Sequence, residues 1–140
     1  MRAATLLRIV AVVAFVQFAL HTALFLTSVP HHGAEEEGVI AAMRSHHFMF
    51  GGMSRSYWDF YYGYGLLAAL VVLAESSLFW CLAVIARESP RRTRPIIALF
   101  LLYNLTHAAI MARYFFPLPI VMDGIVAALL LWAYVAAGRE

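Results

Sequence analysis

YGLLAALVVLAESSLFWCLAVIA, residues 64–86, decides the fold. It carries one carboxyl, Glu75, near the middle of an otherwise apolar or hydroxylated run. At about 1.5 Å of rise per residue, a helix of this length crosses a hydrocarbon core about 30 Å thick. Backbone amides and carbonyls in lipid must be satisfied within the segment, so the run reads as a membrane-spanning α-helix. Three more runs read the same way: 6–29, 96–116 and 118–137. The rest of the composition agrees. The 140 residues are 64% hydrophobic and 13% charged, with a mean hydropathy of +0.79. Soluble domains hold about 45–50% apolar and about 25% charged residues. Too little polar surface is left to coat a soluble globule of this size. The expected fold class is all-α: a four-helix transmembrane bundle, residues 1–140 forming one domain.

Several classes fall away at once. Cys81 is the lone cysteine, so no disulfide framework or cysteine metal cluster is expected. All ten basic residues are arginine, and a net charge of +2 does not point to nucleic acid. His31-His32 and His46-His47 lie near Glu35, Glu36 and Glu37, but their spacing matches no defined metal site, and none is expected. The first run has Arg2 and Arg8 ahead of it, as a signal peptide would. Its apolar part is longer than a secretory core, and Leu26-Thr27-Ser28-Val29-Pro30 offers no small-x-small cleavage pattern, so a retained helix is expected.

Arginine placement sets the expected orientation. Arg2, Arg8, Arg87, Arg91, Arg92, Arg94 and Arg139 fall on one side, and Arg44, Arg55 and Arg113 on the other. Both termini and the basic link 87–95 are therefore expected in the cytoplasm of a multi-pass inner-membrane protein, the link touching anionic headgroups. The connection 30–55 then faces outward and is too long to lack structure. Glu35 to Arg44 reads as an acidic helix start running into an apolar stripe, and Phe48 to Met53 as an apolar, glycine-hinged turn. The two fit an interfacial helix or a lid.

Next comes Ser-Arg-Ser-Tyr-Trp-Asp-Phe-Tyr-Tyr-Gly-Tyr-Gly, residues 54–65. Ser56 and Asp59 resemble a capping box, starting the second spanning helix near 56 and carrying it to 86. Arg55 and Asp59, four apart, are placed to pair. Tyr57, Trp58, Phe60, Tyr61, Tyr62 and Tyr64 sit at headgroup depth, where such rings concentrate. Gly63 and Gly65 leave room for a close neighbour.

Residues that are costly in lipid recur on all four helices. Gln17 and His21 share one face of the first helix, Glu75 lies on the second, Asn104 and His107 share a face of the third, and Asp123 lies on the fourth. Gln17, Glu75, Asn104 and His107 fall within roughly 3 Å of their helix midpoints, and Asp123 roughly 7 Å outward, within reach of water or Arg113. A charge at the bilayer centre costs about 2.5–3.5 kcal/mol on insertion scales, so these groups are expected to turn inward and find one another. Gln17 and Asn104 read as interhelical glue, worth around 0.6 kcal/mol per contact. Glu75 reads as functional, either neutral or sharing a proton with His21 or His107.

The expected function is an intramembrane pocket for a small hydrophobic, lipid- or isoprenoid-like molecule. Glu75, His21, His107 and Asp123 are its acid–base candidates. Gln17, Asn104, Tyr57, Trp58, Asp59, Tyr61 and Gly65 are its binding candidates. An isomerase or cyclase is the enzymatic version of this reading, with no cofactor. Two rivals stand beside it. One is b-type haem with His21 and His107 as axial ligands. The other is a non-catalytic subunit or scaffold, with a membrane-protein partner or a second copy of the chain.

The outward histidine of the first helix, the long outer loop and the segment from Arg55 to Leu66 resemble a family of small bacterial membrane proteins, similar in four-helix layout to DoxX-like proteins. The resemblance implies that fold and brings no activity to particular residues.

Overall fold

The computed structural model describes residues 1–140 and is all-α apart from one short hairpin. In chain order it runs α1 (Ala3–Thr27), α2 (Ala34–Ser45), β1 (His47–Phe50), β2 (Met53–Ser56), α3 (Tyr57–Glu88), α4 (Pro90–Tyr114) and α5 (Pro117–Arg139). Four of the helices, α1, α3, α4 and α5, are long and apolar enough to cross a membrane. This is a multi-pass membrane protein. The chain divides into two compact units, each described by itself: Met1–Gln17 with Val72–Glu140, and Phe18–Val71.

The first unit is a bundle drawn from all four spanning helices. Leu6, Leu7 and Val10 of α1, Ile97 of α4 and Leu130 of α5 are completely buried, and Phe79 of α3 nearly so. Alanines fill the gaps between them: Ala3, Ala11 and Ala14 on α1, Ala83 on α3, Ala133 and Ala137 on α5. Small residues let helix backbones approach, and in lipid it is this close packing, not escape from water, that holds helices together. Ser76 adds a polar link by donating to the Ala11 carbonyl at 2.8 Å. The outward surface is apolar too, with Val12, Leu99, Leu102 and Trp132 more than half exposed. A water-soluble protein would hide such a surface, whereas hydrocarbon solvates it.

Helix α4 begins earlier than the expected start at 96. Pro90 stands at its first position, where a missing N–H costs nothing and the fixed φ favours a helix. Thr93 donates to the Pro90 carbonyl at 2.6 Å, and Ser89 alone separates α3 from α4. Pro95 is accommodated inside the helix. The basic link 87–95 is therefore mostly helical. Arg94 is also less available to headgroups than expected, its guanidinium lying 4.2 Å from the centre of the Tyr134 ring. Glu140 accepts the Ala3 amide at 2.8 Å, capping the start of α1.

The second unit holds the end of α1, helix α2, the hairpin and the start of α3. The expected capping box forms reciprocally. Ser56 N–H donates to Asp59 Oδ2 at 2.7 Å, and Asp59 N–H donates to Ser56 Oγ at 3.2 Å. The apolar turn is a two-residue antiparallel hairpin, with Phe48 paired to Arg55 and Phe50 to Met53. Gly51 and Gly52, at φ 58 and 81, supply the positive backbone angles that such a turn needs.

Candidate functional site

Two polar side chains of the first unit, His107 and Gln17, converge on Asp123. Its position on α5 places it 2% exposed, among the most buried side chains of the protein. Reach to water or Arg113 was expected of it. The helix instead turns the carboxylate inward, where two other helices supply donors. His107 of α4 donates from Nδ1 to Asp123 Oδ2 at 2.7 Å. Gln17 of α1 donates from Nε2 to Asp123 Oδ1 at 3.3 Å. One carboxylate thus ties three helices, each of its oxygens accepting a different donor.

The short bond fixes the imidazole. With Nδ1–H on the carboxylate, a neutral His107 presents a lone pair at Nε2. Tyr103, one turn earlier on α4, stacks on it with ring centres 5.9 Å apart and planes 17° off parallel. Glu75 of α3 lies near enough to feel the charges of both His107 and Asp123, and Tyr103 those of Glu75 and Asp123. Glu75 is half-buried and makes no hydrogen bond. The arrangement is a carboxylate-oriented histidine beside a second, unengaged carboxyl. Such a set can accept a proton at one point and deliver one at another.

Other expected members are placed elsewhere. Asn104 is buried, but its amide donates to Phe100 O within α4 at 2.9 Å, so it braces its own helix. His21 belongs to the second unit. Its Nε2 sits 3.1 Å from the Gly65 carbonyl, and its ring stacks on Phe25 at 5.9 Å. Helical spacing put His21 on the Gln17 face but could not foresee that a glycine carbonyl would claim its ring. Gly65 does admit a close neighbour: the Phe25 ring lies over its Cα, where a Cβ would collide.

The aromatic segment is held by structural contacts. Asp59 is occupied by Ser56, and the expected Arg55–Asp59 pair does not form. Arg55 donates instead to the Ser54 carbonyl at 2.8 Å and to Met53 Sδ at 3.1 Å. Trp58 carries the Arg44 guanidinium 4.1 Å above its ring and packs on Tyr61, which meets Phe25. Tyr57 packs on Phe48. An open groove of about 410 Å³ in the first unit is lined by Ala11, Val12, Phe15, Ser76, Ser77, Trp80 and Cys81, none of them an expected site residue.

Sequence reasoning missed Tyr103 and Phe25. Tyr103 was legible from its four-residue spacing to His107. Phe25 carried no such signal, being one phenylalanine among many apolar neighbours.

Comparison with protein-family models, curated proteins and solved structures finds no match to this chain.

Proposed function

We propose that the first unit holds an intramembrane acid–base site acting on a small hydrophobic molecule drawn from the lipid phase. The observation that carries this reading is the 2.7 Å bond from His107 to a fully buried Asp123, with Glu75 close enough to feel the charges of both. A buried carboxylate that orients an imidazole is a recurrent way to prepare a general base. Asp123 acts here as a positioning residue, His107 accepts or returns the proton at Nε2, and Glu75 is the complementary acid. The matching chemistry is a proton-initiated isomerisation or cyclisation of an isoprenoid-like compound. Membership of a DoxX-like group is part of the same proposal and rests on the four-helix layout. The haem alternative fits less well, because His21 commits its Nε2 to the Gly65 carbonyl.

A scaffold reading has its own support. Gln17, His107 and Asp123 together bond three helices, and Ser76 bonds α3 to α1. Interhelical glue would look like this, and such a protein would hold a membrane partner or a second copy. Glu75→Gln separates the two readings. The protein is purified in native lipid, and its co-purifying small molecules are identified by mass spectrometry before and after the substitution. The site reading expects a bound or converted hydrophobic compound that Glu75→Gln loses while the helices stay assembled. An unchanged lipid profile in a correctly assembled Glu75→Gln protein overturns it.

A further inference from the structure

The β1–β2 hairpin has no part in that site, yet its tip is built for a particular medium. Between His47 and Arg55 no side chain carries a charge. Met49 is 71%, Phe50 61% and Met53 55% exposed. Which way this apolar tip points follows from ring contacts inside the second unit. Strand β2 passes into α3 without a connecting residue, Ser56 being followed directly by Tyr57. Phe48, toward the open end of the hairpin, has its ring 5.0 Å from Tyr57, the first residue of α3, and further, 6.1 Å, from Phe60. Phe50, beside the turn, meets Phe60 edge-on at 5.3 Å. Phe60 lies about 4.5 Å further along the helix axis than Tyr57. The chain therefore doubles back at Ser56, and the hairpin advances alongside α3 in the direction in which α3 enters its apolar run.

We infer that the hairpin tip, Met49, Phe50 and Met53, inserts into the lipid leaflet on the side of the α1–α3 connection, as an apolar wedge braced against α3. Its chemistry is graded along its length as the interface requires. His47 and Ser56 stand at the open end and apolar side chains at the turn, while Arg55, rooted at the open end, lays its guanidinium 3.1 Å from Met53 Sδ. The neighbouring surface of α3 continues the same character, with Tyr57, Tyr61, Tyr64 and Leu67 all more than half exposed. Aromatic and long apolar side chains at the boundary between headgroups and acyl chains are the usual means of holding a peripheral element at that depth. Lipid is the occupant that this continuity favours, since the tip extends a surface that a spanning helix already presents to the bilayer.

Depth-dependent fluorescence quenching tests this directly. In a Cys81→Ser background, Met49→Cys or Met53→Cys is labelled with bimane and the protein is reconstituted in phosphatidylcholine vesicles. The control label is Glu35→Cys, on the acidic first turn of α2. Tip labels are expected to lose fluorescence to a lipid nitroxide near the headgroup end of the acyl chain and to resist aqueous iodide. The control should show the reverse. Iodide quenching of the tip equal to that of the control would place it in water and overturn the inference. Protection from both quenchers would mean that protein, a partner or a second copy, covers the tip, and would overturn it as well.

Discussion

The two units are held by different means. In the first, aliphatic side chains and alanines interlock with no exposure at all, and one buried carboxylate ties three helices. In the second, the large side chains are rings that stack while staying partly open, and the buried residues reduce to Ser56 and Ala69. Interlocked aliphatic packing leaves little freedom to relax when a group is removed. Stacked rings can slide and tilt. The frame that holds His107 2.7 Å from Asp123 has the first kind of packing, and the aromatic segment has the second.

The contrast predicts an order of mutational effects. Asp123→Ala should be the most damaging, because it strands the His107 and Gln17 donors inside the unit. Two donors lose their acceptor at once, at about 1–3 kcal/mol each. Asp123→Asn keeps an acceptor and should lose nearer the ~0.6–1.7 kcal/mol of interhelical hydrogen bonds in membranes. Denaturant unfolding in mixed micelles measures both, and equal, small losses would remove the distinction drawn between the units. Gly65→Ala should cost less than Asp123→Ala, about 1–3 kcal/mol, as overpacking does. The obstructing atoms are the far end of the Phe25 ring, a side chain rather than backbone. Phe25→Ala added to Gly65→Ala should recover much of the loss, and failure to recover would show that the second unit is as rigid as the first. Smaller still is Ser56→Ala, about 1 kcal/mol from the lost cap, read as faster amide exchange confined to the first turn of α3.

How far the sequence foretold this structure divides along the same line. Runs of apolar residues long enough to cross a bilayer announced α1, α3, α4 and α5, because spanning leaves the backbone no choice but the helix. The start of α3 was legible from Ser56 and Asp59, a local pattern needing no tertiary information. The hairpin had a signal, Gly51-Gly52 between two four-residue runs, but the second run, MSRS at 53–56, holds none of the β-branched or aromatic residues that mark a strand. Pairings across helices were the hardest to foresee. Spacing places residues on a face of one helix and says nothing of how that helix is rotated against its neighbours. Gln17 and His107 therefore met Asp123, while Asn104 bonded its own helix and His21 met Gly65.

The smallest predicted effect concerns Glu36, whose role depends on pH. At the third position of α2 it reaches back to accept the amides of His31 and His32, both at 2.8 Å, with His32 Nδ1 at 3.2 Å. The backbone bonds favour the ionised carboxylate and hold its pKa below the ordinary glutamate value of 4.5. A carboxylate with a depressed folded pKa stabilises fully above its unfolded pKa, and that contribution is lost as pH falls through the folded value. Amide exchange at residues 31–37 should thus stay slow near neutrality and quicken, relative to intrinsic rates, only below about pH 4.5. Glu36→Gln should abolish the pH dependence while leaving the spans untouched. Loss of protection at neutral pH in the unsubstituted protein would mean that this turn frays regardless of charge, and that α2 draws its order from Arg44 on Trp58 instead.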